Sequence, residues 1–365
     1  MLRTIIITLL LVALIGCEKK QEKIDIGYIG TLSGRYSDLG QGTLQGVVLA
    51  VEQSDIAERI NLIVKDDFGR PAEGARISAD LAEDGVRYVI GPNLSSVATA
   101  SVSTVNSKGI YMLSPTTSTS ALAGKRDNFV RTMPHNSYKQ AEVISRYLIN
   151  DLGYKDIVVL YDSRNSSYSS DIVKKFSEAY MSNGGEIKDV RSFDPDTDES
   201  LSSLLADDVD DPPSLYYIIG SAMDSSLLIW QIRKKGFKSK ILIRKWAASN
   251  DFFRLGGDAV DGVMVFDYYI NKKTPEYLNF YKNYKARFQK EPSWMSVYGY
   301  EAARMLIESM DDIHSGAGFT ESLADETKDN KLLLDLELDK YGDAYLPLHY
   351  FIIENGETVY KGIAE

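Results

Sequence analysis

From Ile24 onward the chain alternates short β-rich runs with segments of helical period, and this alternation constrains the fold more than any other feature. Ile24 to Gly30 reads as a strand. Leu44, Val47, Val48 and Val51 follow at helical spacing, and Ile60 to Val64 reads as a second strand. Pro71, suited to a first helical position, opens a helix carrying Ala75, Ile77 and Leu81. Tyr88-Val89-Ile90 is a third strand, with Ser95 or Ser96 placed to cap the helix after it. Ile110 to Leu113 and Phe129 to Arg131 continue the series. The rhythm then repeats: helix over 143–149, strand over 156–161, helix over 172–180, strand over 186–193. Strands at 215–220 and 241–243 flank a helix over 225–235. Such alternation predicts an α/β protein with doubly wound parallel sheets and helices on both faces. Past residue 275 the pattern changes. Residues 275–310 read as two consecutive helices, 332–361 as short strands with an Asn355-Gly356 turn, and the polar stretch 311–331 as a loop or insertion. Asp194 to Asp211 holds eight acidic residues in eighteen, which suits a solvated surface.

The first residues stand apart from this pattern. Met1-Leu2-Arg3 precedes an apolar run from Thr4 to Ile15. A membrane-spanning helix needs about 20 apolar residues, so the run reads as the core of a signal peptide. It ends in Leu14-Ile15-Gly16-Cys17, which resembles a bacterial lipobox, and a charged tether follows. Residues 1–17 are thus expected to be signal peptide and lipobox, 18–23 a tether, and Cys17 the site of a lipid anchor to the membrane. The working protein would lie outside the cytoplasm.

Composition removes several function classes. At roughly 150 residues per domain, 365 residues suggest two domains. Forty-one basic against 52 acidic residues give a net charge of −11, which disfavours nucleic acid as a partner. The single Cys excludes an intrachain disulfide, and scattered His135, His314 and His349 offer no zinc set, so neither metal nor cofactor is expected. Nucleophile elbows, zinc-protease helices and phosphate-loop motifs are absent from the sequence, and no catalytic residue is nominated. Gly40-x-Gly42-x-x-x-Gly46, with Asp66 further on, approaches a dinucleotide fingerprint. Its glycines begin about ten residues past the strand, too far to turn it into a helix at a pyrophosphate, and read instead as loop residues and a close-packing position.

Ligands of open α/β sheets sit at the carboxyl ends of the strands. Here those ends are rich in hydroxyls and aromatics: Ser33, Ser95-Ser96, Ser114 to Ser118, Tyr161 to Tyr168, Ser221 and Trp246. Hydroxyls and free helix-terminal amides suit a carboxylate.

Taken in order, Ile24-Asp25-Ile26-Gly27 to Leu32-Ser33-Gly34, Val64-Lys65-Asp66-Asp67, Asp84 to Pro92, Leu113-Ser114-Pro115, Phe129 to Thr132 and Gly257 to Val263 resemble type I periplasmic binding proteins of the leucine/isoleucine/valine-binding class. The resemblance spans about residues 24–310. It implies two doubly wound lobes joined by three hinge strands, with crossings near 134–136, 262–265 and 336. Lobe 1 would comprise 24–135 and 265–335, and lobe 2 would comprise 136–264 and 336–365. It further implies a monomer that binds a small-molecule ligand, an amino acid or similar carboxylate, between the lobes. The closed form would then dock on an ABC permease. A sensing lipoprotein that reports to a membrane receptor is the alternative on the same fold.

Carried over residue by residue, the resemblance makes Ser95, with Ser96 beside it, the carboxylate site. Thr116 would contribute through its backbone, Ser118 through its hydroxyl, and Tyr168 would stand beside the ligand. Two positions depart from the family. The amine-contacting acid aligns with Trp246, and a cleft tyrosine aligns with Ser221 or Ala222. The carboxylate half of an amino-acid site is thus kept, while Trp246 is suited to stack on a planar or cationic group. Asp224 could replace the amine-contacting acid, but is rather expected to cap a helix beginning at Ser225. Phe68 and Leu94 occupy the positions of a disulfide formed by some members, and are expected to make an apolar contact.

Overall fold

The computed structural model describes residues 23–194, 201–328 and 333–364. Cys17 and the signal-like run lie outside the described residues, as do parts of the acidic stretch and of the polar segment after residue 311. No helix of the described residues is long and apolar enough to cross a membrane.

Lobe 1 is built on a five-stranded parallel sheet. Its strands are β1 (Ile24–Gly30), β2 (Ile60–Asp66), β3 (Tyr88–Ile90), β4 (Tyr111–Ser114) and β5 (Phe129–Arg131), in the order β2-β1-β3-β4-β5. Ile26 and Tyr28 of β1 turn to one face and Ile29 to the other, and all are fully buried, as expected of a strand covered on both faces. One face is covered by α1 (Ser37–Gln53), the other by α2 (Pro71–Glu83) and α3 (Ser95–Lys108). Glycines let α1 and the later helix Trp294–His314 approach closely. A Cβ at Gly46 of α1 would lie 2.0 Å from the Ser296 carbonyl oxygen, and one at Gly299 would lie 2.2 Å from that of Thr43. Gly40, Gly42 and Gly46 are therefore helical residues, not loop, and Gly46 is a packing position.

Lobe 2 follows. Helix α4 (Tyr138–Arg146) continues through a wider turn at Tyr147–Asp151, and β6 (Asp156–Asp162), α5 (Ser166–Ser182) and β7 (Glu186–Phe193) come next. Then come β8 (Leu215–Ile219), α6 (Ala222–Lys234), β9 (Lys240–Arg244), α7 (Asn250–Gly256) and β10 (Met264–Tyr268). The chain returns to lobe 1 with α8 (Pro275–Phe288) and α9 (Trp294–His314); α9 carries Ser296 and Gly299 against α1. A further helix, α10 (Phe319–Glu326), lies where a loop is expected. Its Phe319 ring stacks on Tyr111 at 4.8 Å, so two apolar residues, Phe319 and Leu323, anchor an otherwise polar segment. A ribbon of β11 (Glu337–Leu338) and β12 (Ala344–Tyr345) precedes the final hairpin, β13 (Leu348–Glu354) and β14 (Glu357–Ile363). The lobe 2 sheet runs β14-β13-β10-β9-β8-β6-β7, antiparallel only along β10-β13-β14. Asn355 and Gly356 have φ of 53° and 76°, the left-handed pair a tight hairpin turn requires.

Two of the three crossings fall later than the sequence suggests. β10 pairs with β13 along its whole length and with β9 over Met264 to Phe266, so the second crossing follows Tyr268, not 262–265. The third lies beyond Asp343, not at 336. The Gly342 carbonyl accepts from the Arg131 amide at 3.1 Å, and Asp343 is ion-paired to Arg131 at 2.6 Å. Phe68 and Leu94 also behave differently from each other: Leu94 is buried, while Phe68 is exposed with the Arg70 guanidinium 5.9 Å from its ring.

Candidate ligand-binding cleft

The carboxyl ends of the two sheets face each other across a cavity. On the lobe 1 side, β3 leads through Asn93 and Leu94 into α3. Leu94 occupies the cap position and makes no side-chain cap, so Ser95 and Ser96 are the first helical residues, not caps. Their hydroxyls are used otherwise. Ser95 Oγ accepts from the Ser118 amide at 3.2 Å, and Ser96 Oγ accepts from the Ser167 amide of lobe 2 at 3.2 Å. Ser114 Oγ donates to the Pro92 carbonyl at 2.7 Å, and Thr116 Oγ1 to that of Asn93 at 2.8 Å. These bonds strap the loop after β4 to the loop before α3, which places Ser95, Thr116 and Ser118 together in the wall of the cavity.

Lobe 2 supplies the aromatic and cationic wall. Tyr168, in the first turn of α5, meets Trp246 edge-on at 5.4 Å, and Tyr36 of lobe 1 lies 5.3 Å from the same indole. Tyr168 and Trp246 line the cavity with Phe266, Tyr268 and, from α9, Trp294. Ser96 and Ser221 are not among the lining residues. Ser221 caps α6, accepting from the Asp224 amide at 3.2 Å and donating to its carboxylate at 2.7 Å. Asp224 therefore lies inside the first turn of a helix that starts at Ala222. Its carboxylate reaches across to Arg35 of lobe 1 at 2.7 Å.

Two cations that sequence reasoning passed over complete the wall. Arg244 ends β9 and Lys245 follows it, directly before Trp246. Lys245 Nζ is 2.5 Å from Asp267 and stands 4.9 Å from the Trp294 ring centre and 5.1 Å from that of Tyr298. Burial pulls the Lys245 amine below its ordinary value, against the pull of Asp267. Arg244, 9% exposed, has no carboxylate within 4 Å among the described residues. Its Nη2 donates to Asn136 Oδ1 at 3.4 Å, the guanidinium also bonds the Tyr168 and Tyr217 phenols, and its Nε has no partner. Burial is the largest influence on its basicity and acts to lower it, while the neighbouring Tyr217, Tyr168 and Tyr268 act the other way without carrying a charge near neutral pH. The signal was available in the sequence: Ile241-Leu242-Ile243 delivers Arg244 and Lys245 to the strand end where ligands sit.

The lobes are closed on each other. Besides Arg35–Asp224 and Ser96–Ser167, the Tyr36 hydroxyl donates to Asp162. Ser249 Oγ donates to Asp38 at 3.0 Å, and the Ser96 amide donates to Asn165 Oδ1 at 3.1 Å. The buried carboxyls on this seam are raised: Asp38 to about 6, and Asp162 and Asp224 in the same direction, all chiefly by burial.

Residues 23–333 match the family model described as periplasmic binding protein. The chain belongs to this family. It is of the type I, leucine/isoleucine/valine-binding kind, and the family consists of substrate-binding proteins that act outside the cytoplasm, not of enzymes. A Leu/Ile/Val-binding protein of Rhizobium johnstonii is 24% identical over 259 residues, covering 69% of this chain and 70% of the relative. A Brucella abortus homologue of such a protein is 24% identical over 348 residues, covering 92% and 91%. Among solved structures, a leucine-binding protein of Thermotoga maritima superposes with a TM-score of 0.83 at 23% identity, covering 94% of this chain and 99% of the other. A solute-binding protein of an ABC transporter from R. palustris, solved with benzoate, gives 0.80 at 18%, covering 94% and 96%. These likenesses establish the two-lobed fold.

Proposed function

We propose that this chain is the solute-binding subunit of an ABC importer, tethered outside the cytoplasm by lipid on Cys17, and that as a monomer it captures a small carboxylate between its lobes. One observation carries the reading: Ser95, Thr116 and Ser118 of lobe 1 and Tyr168, Arg244 and Trp246 of lobe 2 line a single cavity across which the lobes close. Hydroxyls and a guanidinium on opposite walls suit an anionic group, and only the closed form brings them together, as hinge closure on a ligand requires. The family membership and the relatives named for amino-acid and benzoate binding support the same class. Ser96 and Ser221 act in the seam and in a helix cap.

The test is a thermal-shift screen of the unfolded and refolded chain against amino acids, amides, polyamines and aromatic carboxylates. A ligand at a hundred times its dissociation constant adds about 2.7 kcal/mol to stability. Ser95→Ala and Ser118→Ala should each weaken the best ligand by about 1–3 kcal/mol, the cost of a lost bond to a charged group. A screen without a carboxylate hit refutes the reading.

A further inference from the structure

We infer that the cleft selects a carboxylate with an aromatic body and no ammonium group, so that α-amino acids are not its ligands. This rests on the solute-binding reading and narrows it. The cavity wall contains Arg244 and Lys245 and no Asp or Glu. Lys245 is neutralised by Asp267 behind the wall, whereas Arg244 has no counter-charge among the described residues, so the site carries a net positive charge. An uncompensated buried cation is costly, and a bound anion would remove that cost.

The hydrogen-bonding balance points the same way. Arg244 Nε, Trp246 Nε1 and Trp294 Nε1 are buried on residues lining the cavity, and none has an acceptor. Guanidinium and indole nitrogens can only donate. A ligand that reached any of them would have to bring acceptor oxygens, which a carboxylate does and an ammonium does not. An α-ammonium here would meet a guanidinium in place of an acid, and like charges in a desolvated site repel strongly. The faces of Trp246, Tyr168, Phe266 and Tyr268 supply flat apolar walls fitted to a ring.

Matched pairs test this by calorimetry on the full chain in mild detergent: 3-phenylpropanoate against phenylalanine and 4-methylpentanoate against leucine, with benzoate as a third acid. The acid of each pair should bind about tenfold or more tightly than its amino counterpart, and the aromatic acids more tightly than 4-methylpentanoate. Arg244→Gln should cost the aromatic acids about tenfold or more, as loss of a charge-assisted contact does, and Arg244→Lys should recover part of it. Trp246→Phe keeps the ring, removes one donor and should weaken the same acids; it serves should Arg244→Gln fail to fold. Phenylalanine or leucine binding as tightly as its deaminated partner overturns the inference and leaves the carboxylate reading standing. So does an Arg244→Gln protein of unchanged affinity. Binding of neither acids nor amino acids overturns both.

Discussion

Asp343→Asn is expected to destabilise the protein through a charge left behind. Arg131 is fully buried at the end of β5, and its Nε and Nη2 reach Asp343 Oδ1 at 2.8 and 2.6 Å. Its Nη1 donates to the Thr119 carbonyl at 2.6 Å, and Asp343 Oδ2 accepts from the Gly124 amide at 2.6 Å. Asparagine keeps the shape and one acceptor but removes the counter-charge. Breaking one side of a buried pair costs about 3–5 kcal/mol, because the desolvated partner remains. Each kcal/mol moves the midpoint of a domain of 150–250 residues by about 2–4 °C, so scanning calorimetry should record a fall of about 6–20 °C. Arg131→Met combined with Asp343→Leu should lose less than the two single changes together, since it strands no charge, although the Thr119 carbonyl and the Gly124 amide each lose a partner. A fall under about 1 kcal/mol for Asp343→Asn, or a double variant as unstable as the sum of the singles, would refute the reasoning. The same pair ties the third crossing to lobe 1, so the experiment also probes where the hinge begins.

Asp38 should make the seam pH-sensitive. Burial raises its carboxyl to about 6 in the folded state, so its ionised form is disfavoured there relative to the unfolded chain. Asp38→Asn should therefore raise the thermal midpoint at pH 7.5, with the advantage shrinking between pH 6 and about 4, as the folded wild-type carboxyl becomes protonated. An equal advantage at pH 7.5 and at about pH 4 would show that charge burial is not the cause. Cys17→Ala should release the protein from the membrane fraction of expressing cells, and retention there would end the lipid-anchor proposal.

The sequence carried the lobes further than it carried their boundaries. Apart from the edge strands β2 and β7, the strands from β1 to β10 announce themselves because both faces are covered, which leaves short continuous apolar runs between helical periods. The crossings were hidden for the same reason. Met264 to Tyr268 reads identically whichever sheet it joins, and only its pairing with β9 and β13 assigns it to lobe 2. Helix α10 was hidden because two buried apolar side chains, Phe319 stacked on Tyr111 and Leu323, suffice to fix it among polar neighbours. In the cleft, hydroxyl and aromatic residues at strand ends were legible as a class, but their individual tasks were not. Ser96 and Ser95 are adjacent in sequence, yet one bonds across the seam and the other to the loop after β4. Arg244 and Lys245 escaped notice because cations at a strand end ordinarily reach water.

That pair changes what closure must accomplish. A ligand shifts an open–closed equilibrium only by the difference in its free energy between the two forms. In the closed form Arg244 is buried without a carboxylate, and the seam buries Asp38, Asp162 and Asp224 with raised carboxyls. Closing an empty cleft therefore desolvates a cation at its centre and acids at its rim. The seam contacts repay part of the rim: Arg35 pairs with Asp224, Tyr36 donates to Asp162, and Ser249 donates to Asp38. Among the described residues, no carboxylate repays the centre with a charge. Under the reading proposed above, an anionic ligand supplies the missing counter-charge only once both walls meet around it. Its charge, more than its bulk, then supplies the differential free energy that holds the lobes together, and a neutral isostere such as an amide should fill the cleft without closing it.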